Sequence, residues 1–251
     1  MGKTYVFVNQ KGGVGKTTSA INIGAYLALE GKKTLLVDFD SQGNMTSGVG
    51  VDREIPTVYD LLAGKATLKE VIRKSVVPGL SVIPASIDLS GAAIELVDQK
   101  EREFYLRRAL EPVKDIYDFI LIDCPPSLGI LTLNGLVAAD EVLIPLQCEY
   151  FALEGLTLLL QTVKRVQKSL NPDLVIGGIF FTMYDSRTRL AQDVVQQVTT
   201  YFKDKVFTTI IPRNIRLSEA PSHGLPICNY DAQCVGARSY EKLAKEVLER
   251  G

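Results

Sequence analysis

The sequence predicts an α/β fold of three layers, a mostly parallel twisted sheet with helices on both faces. Three observations predict it. Seven short apolar runs alternate with longer stretches of helical spacing along nearly the whole chain. The runs are continuously apolar, as strands covered on both faces are. A loop rich in glycine and lysine follows the first run and opens the first helical stretch, a junction where open α/β sheets place their ligands.

The elements follow in order. A strand is expected at residues 5–9 and a helix at 16–30. The second strand, 33–38, leads to a short helix at 57–63. A strand at 80–84 precedes helices at 89–96 and 102–113. The next strand, 119–123, is followed by a helix at 128–139, a strand at 141–146 and a long helix at 152–170. The last expected strands, 175–181 and 206–210, flank a helix at 190–202. A final helix at 237–250 carries Ala237, Tyr240, Leu243, Ala244, Val247 and Leu248 at helical spacing, a stripe for core packing.

Composition bounds the rest. The 251 residues are 46% hydrophobic and 23% charged, which excludes a disordered chain. No linker, repeat or shift in Pro/Gly density divides them, so residues 1–251 are expected to form a single domain. No apolar run approaches the ~18 residues of a membrane span, and no leader peptide is visible, so a cytoplasmic protein without a membrane anchor is expected. Cys124, Cys148, Cys228 and Cys234 lack metal-like spacing and read as reduced thiols. The net charge of −1 conceals an asymmetry. Residues 160–251 carry 13 Lys and Arg against 9 Asp and Glu, which leaves 15 basic against 20 acidic residues elsewhere. A basic patch is therefore expected in the last third.

The strongest local signal is Lys11-Gly12-Gly13-Val14-Gly15-Lys16-Thr17-Thr18. Between a strand and a helix, this is a P-loop. Glycines let the backbone fold tightly and turn its N–H groups toward phosphate oxygens, and the helix N-terminus adds its positive end. Lys16 can reach the β- and γ-phosphates, Thr17 can ligate Mg²⁺, and Thr18 can donate to the α-phosphate. The usual first glycine is replaced by Gln10, and a second lysine, Lys11, opens the loop.

Two apolar runs end in aspartate. Asp123 closes Phe-Ile-Leu-Ile-Asp, a carboxylate delivered beside the phosphate loop to hold Mg²⁺ directly or through water. Asp38 and Asp40 end the second strand two residues apart, facing the same way if the strand continues. One of the two can serve the ion's hydration shell and the other the attacking water. Cys124-Pro125-Pro126-Ser127 stiffens the exit after Asp123. Cys124 reads as an inert thiol and His223, the only histidine, as a loop residue with a structural role.

Together these segments resemble the deviant Walker-A ATPases. KGGVGKTT, VDFDSQGN (residues 37–44), LIDCPPS (121–127), QCEYFALEG (147–155) and IPRNIRLSEAPSHG (211–224) resemble the ParA/Soj chromosome-partitioning branch over nearly the whole chain. Ser41 stands where that family usually has proline. The resemblance implies a P-loop NTPase that hydrolyses ATP to ADP with Mg²⁺ and forms an ATP-bound sandwich homodimer. It implies that Lys11 reaches the partner's ATP and that Gly12 lies where two loops meet. Asp40 then positions the hydrolytic water, and Asp38 and Asp123 stand around Mg²⁺. Pro212 and Asn214 contact adenine, with Met183 lining the same pocket. It further implies non-specific binding of double-stranded DNA, nucleoid association, and a ParB-like centromere-binding partner that stimulates a weak intrinsic activity. Arg187, Arg189 and Arg216 are the foremost DNA candidates, with Arg213, Lys203, Lys205 and Lys242 beside them. The alternatives are a ParA-like positioner of a non-DNA cargo, a MinD-like membrane-directed ATPase, and iron-cluster chemistry like that of the nitrogenase iron protein. The last helix, needed for packing, and the lack of a second cysteine between residues 43 and 123 weigh against the latter two.

Overall fold

The computed structural model describes residues 2–54 and 56–250. Seven strands form one sheet: β1 (Lys3–Phe7), β2 (Thr34–Asp38), β3 (Arg73–Lys74), β4 (Leu80–Ile83), β5 (Phe119–Asp123), β6 (Glu141–Gln147) and β7 (Val175–Thr182). Their order across the sheet is β3-β4-β2-β5-β1-β6-β7. Every pairing is parallel except β3 with β4.

Strand alternation builds the three layers. Val6, Leu35, Val37, Ile120, Ile122, Val142 and Ile144 feed one core. Tyr5, Phe7, Leu36, Phe119, Leu121 and Leu143 feed the other. Both faces are apolar because both are covered, which explains the continuous runs in the sequence. Helices Lys16–Leu29 and Val235–Arg250 pack together on the second face, where Tyr26, Leu27, Tyr240 and Leu243 are buried. Helices Ile130–Ala138, Ala152–Ser169 and Arg189–Phe202 contribute to the first core through residues such as Leu136, Leu159 and Val194. No helix among the described residues is long and apolar enough to cross a membrane.

Two expectations about strands are corrected. Residues 206–210 do not form a strand, and only Val206 bridges β7, at Ile179. The main-chain N–H groups of Thr208 and Thr209 donate to the Glu246 carboxylate at 2.9 Å each, so the ladder is interrupted by a side chain. The seventh strand is instead β3, a two-residue antiparallel edge too short and polar to announce itself. The expected helix at 102–113 also divides, with α-helix only over Tyr105–Leu110 and 3₁₀ turns on either side.

The register places the chemistry. Asp123 at the end of β5 is the pairing partner of Phe7 on one side and of Asp38 on the other. The loop that follows β1 and two strand-terminal carboxylates therefore meet at one edge of the sheet.

Candidate functional site

The loop after β1 is fixed from three sides. Asn9 donates from Nδ2 to the Pro145 carbonyl at 2.8 Å, and its Oδ1 accepts from the Lys11 N–H at 3.0 Å. Thr182, at the end of β7, donates from Oγ1 to the Val14 carbonyl at 2.8 Å. Gly13 and Gly15 have φ of 75° and 83°, values at which a β-carbon is strained. Gly15 then caps helix Lys16–Leu29, whose first turn carries no acidic side chain. Such an N-terminus favours an anion.

Lys16 is buried at 7% exposure. Burial lowers its pKa, while the fields of Asp123 and Asp40 pull the other way. Thr17 donates from Oγ1 to Asp123 Oδ2 at 2.6 Å. Asp123 Oδ1 is buried without a hydrogen-bond partner. Burial pushes the Asp123 carboxyl up, and the neighbouring Asp38 adds to it. A buried carboxylate oxygen left open beside a threonine hydroxyl is suited to a hard cation and its water. Among the described residues no three His, Cys, Asp or Glu side chains are arranged to hold a metal ion by themselves.

Asp38 is arranged differently. It is fully buried, and its Oδ2 accepts from the Thr46 N–H at 2.8 Å and the Thr46 hydroxyl at 2.6 Å. Its Oδ1 accepts from the Asp40 N–H at 3.3 Å. Burial still raises its pKa, and the Thr46 donors temper that rise. Thr46 Oγ1 also accepts from the Ala85 N–H at 2.9 Å, so one hydroxyl joins β2, the helix Asn44–Gly48 and the segment after β4. Replacing Thr46 with valine leaves Asp38 short of a donor and is expected to cost about 2–4 kcal/mol of stability, read from denaturant unfolding.

The strand ends at Asp38, so Asp40 is placed by a turn and not by strand alternation. Asp40 Oδ1 accepts from the Gln42 N–H at 3.0 Å, and the side chain stays partly exposed, with its field reaching Lys16 and Asp123. Lys11 projects from the loop, half exposed, and pairs with Glu149. A β-carbon on Gly12 would meet nothing within 4 Å, so the fold of one chain does not require glycine there.

A cavity of about 250 Å³ opens beside the loop, lined by Gly15, Thr18, Met183, Pro212, Asn214 and Tyr240 among others. Residues as far apart as Gly15 and Tyr240 thus converge. Met183 leaves β7 at φ 48°, and Tyr184 pairs with Pro212 through donors from Tyr184 N–H to the Ile211 carbonyl and from Arg213 N–H to the Tyr184 carbonyl. Asn214 Oδ1 is buried in this region without a partner. It is a second open acceptor, on the other side of the phosphate loop from Asp123.

The basic candidates divide. Arg187 is exposed and forms a two-pronged pair with Asp185, at 2.8 and 2.6 Å. Arg216 pairs with Glu219 at 2.9 Å and Asp231 at 3.4 Å. Arg189 is exposed at the first residue of its helix. Arg187, Arg213 and Arg216 stand on or beside the two loops joined by the Tyr184–Pro212 bridge. Lys203 and Lys205 lie beyond the far end of helix Arg189–Phe202, roughly 20 Å away at 1.5 Å per residue, and do not join that group. His223 stacks on Tyr230 with centroids 4.9 Å apart, a structural contact. Cys124 is buried, and burial raises its thiol well above the usual range.

Four residues of the site escaped sequence reasoning: Thr46, Glu149, Thr182 and Tyr240. Thr182 carries the only usable signal, a polar residue ending an apolar run. Thr46 lies in a five-residue helix, Glu149 in a loop, and Tyr240 within a stripe read as core.

Residues 2–176 match the family model described as an AAA domain. The chain is 77% identical over 250 residues to the chromosome-partitioning ATPase Soj of Treponema pallidum, covering 100% of this chain and 98% of that one. It is 56% identical to the sporulation initiation inhibitor protein Soj of Bacillus subtilis, with 100% of both chains covered. Among solved structures, cobyrinic acid a,c-diamide synthase from Mycobacterium smegmatis, with bound ATP analogue and magnesium, superposes with a TM-score of 0.87 at 38% identity. That match covers 99% of this chain and 95% of the other.

Proposed function

The chain belongs to the Soj/ParA family of partitioning ATPases, and from that membership we propose that it is a nucleotide switch whose ATP-bound homodimer holds DNA. One observation carries the reading. Two buried acceptors, Asp123 Oδ1 and Asn214 Oδ1, stand open on either side of a loop built for phosphates. A nucleotide with a purine amino group at one end and a metal-bound triphosphate at the other satisfies both.

The loop's N–H groups and the N-terminus of helix Lys16–Leu29 cradle the phosphates, and Lys16 opposes their charge. Thr17 and Asp123 would hold Mg²⁺, with Asp38 one strand away bracing the turn that carries Asp40. A bound magnesium ion would supply neutralisation of phosphate charge while the γ-phosphoryl group passes to water and ADP departs. Asp40, partly exposed at the mouth, orients the attacking water. Lys11 leaves Glu149 and reaches the nucleotide of a second copy, so two chains close only when the γ-phosphate is present. Asn214 and Pro212 take the adenine, with Met183 at the wall.

Arg187, Arg189 and Arg216 contact DNA phosphates, and dimerisation doubles their number, which turns weak contacts into a usable affinity. The switch acts in the cytoplasm, on the nucleoid. A ParB-like centromere-binding protein raises a slow intrinsic hydrolysis and releases the dimer.

The test is Gly12→Val in analytical ultracentrifugation. The open space at Gly12 means the fold of one chain accepts the variant, and calorimetry with ATP is the control for nucleotide binding. Wild type is expected to sediment as a dimer with ATP and a monomer with ADP, and the variant as a monomer with both. A variant that dimerises like wild type contradicts the loop-to-loop arrangement.

A further inference from the structure

We propose that Glu246, on the last helix, is a positioning residue for base recognition. It holds the bulge that aims Pro212 and Asn214 into the cavity. The inference rests on the reading of that cavity as the base site.

The segment that brings Asn214 into place runs along β7 between two bridges, Val206 to Ile179 and Pro212 to Tyr184. Six steps separate Val206 from Pro212, and five separate Ile179 from Tyr184. The segment therefore carries one residue more than β7 does. Paired segments run in step, so each inserted residue slides everything beyond it by one position along β7. Four steps from Phe207 to Ile211 span only two from Ile179 to Phe181, an insertion of two, and one is returned at Met183, where three steps from Phe181 to Tyr184 face two from Ile211 to Arg213. Without the insertion Ile210, and not Pro212, would stand opposite Tyr184.

The two inserted residues fall at Thr208 and Thr209. Phe207 N–H still donates to the Ile179 carbonyl and Ile211 N–H to the Phe181 carbonyl, both at 2.8 Å. The two residues after Phe207 turn away from the ladder and toward Glu246. Thr208 N–H donates to Oε2 and Thr209 N–H to Oε1, each at 2.9 Å. The Thr208 hydroxyl donates to Oε1 at 2.8 Å, and the Thr209 hydroxyl bonds the same oxygen. One carboxylate thus receives four donors, two of them main-chain N–H groups taken out of strand pairing. Its partial burial works against ionisation, and the threonine donors more than offset that, so the carboxyl stays below its usual range.

The same helix grips the start of the segment. Arg250 donates to the carbonyls of Asp204 at 3.2 Å and Val206 at 2.9 Å, and its guanidinium lies 4.1 Å from the Phe207 ring. Gly178 has no side chain to block that ring, since a β-carbon there would come within 2.2 Å of it. Tyr240, also on this helix, shares a hydrogen bond of 2.9 Å with Ser19 of the phosphate-loop helix and lines the cavity. The last helix therefore fixes the base loop and the phosphate loop relative to one another.

The test compares full-length wild type, Glu246→Gln and Asn214→Ala for binding of ATP, GTP and inorganic tripolyphosphate in magnesium buffer, by calorimetry. Glutamine keeps an acceptor at one position and loses the other. Glu246→Gln is expected to weaken ATP about tenfold, the effect of one or two lost hydrogen bonds. It is expected to narrow the preference for ATP over GTP by a similar factor and to leave tripolyphosphate unchanged. An ATP-to-GTP ratio equal to wild type, or tripolyphosphate weakened in step with ATP, overturns the proposal. Thr208→Gly with Thr209→Gly, which removes both hydroxyl donors, is expected to shift the ratio in the same direction, and no shift there also counts against it. If Asn214→Ala leaves the ratio untouched, the cavity is not the base site and the underlying reading fails. If Asn214→Ala narrows it and Glu246→Gln does not, only the role of Glu246 fails.

Discussion

Replacing Lys16 with alanine is expected to weaken ATP binding at least about a hundredfold, roughly 3 kcal/mol, and to remove nucleotide-dependent dimerisation and DNA retention with it. The size of the effect follows from the surroundings. Lys16 is a buried cation facing Asp123 and Asp40, with Asp38 behind them. Without it, the phosphates of a nucleotide would enter a site whose nearest charges are all negative. The N–H groups of the loop remain, but they carry only partial charge. The variant also loses a desolvated charge, so the fold is not expected to suffer, and thermal melting provides that control. Near-wild-type affinity for ATP in calorimetry would show that the phosphates bind elsewhere.

Replacing Asp40 with alanine is expected to separate binding from turnover. Asp40 touches neither Lys16 nor Thr17 through a hydrogen bond, and its one side-chain acceptor contact is local, to Gln42. ATP affinity should therefore stay within a few-fold of wild type. Hydrolysis should fall by about a hundredfold or more, the scale on which a positioned carboxylate acts on a proton. With ATP the protein should stay dimeric for as long as the nucleotide lasts. Phosphate release and sedimentation on one preparation read both halves. Normal hydrolysis by the variant would place the water-orienting group at another residue.

Much of the fold was legible in the sequence because the central strands β1, β2, β5, β6 and β7 are apolar on both sides, as a sheet covered on both faces requires. The phosphate loop was legible because glycines at 13 and 15 and the Lys16-Thr17 pair sit in a fixed local frame. Legibility failed where a distant side chain decides a local structure. Residues 206–210 have strand composition, yet Glu246 takes the N–H groups of Thr208 and Thr209. Asp38 and Asp123 look alike as strand-ending aspartates. Only the structure separates them, since Thr46 occupies Asp38 while Asp123 keeps an oxygen open. The cavity at Asn214 came from resemblance alone, because its walls are brought together from β7, the loop at 211–214 and the last helix. The pairing of Arg187 with Asp185 and of Arg216 with Glu219 was hidden for a simpler reason. Charges two or three residues apart can point together or apart, and the loops decide which.

These pairs also bear on DNA. An arginine already held by a carboxylate presents less net charge to a phosphate, so Arg187 and Arg216 should each release less than one counterion. The most direct measurement is the affinity of the Asp40→Ala protein for unrelated double-stranded DNA across a salt series, with ATP, with ADP and without nucleotide. Binding is expected with ATP only, with little dependence on DNA sequence and a log–log salt slope between about −2 and −5 for the six arginines of a dimer. Equal affinity in all three nucleotide states, or no DNA binding with ATP at low salt, would contradict the nucleotide switch.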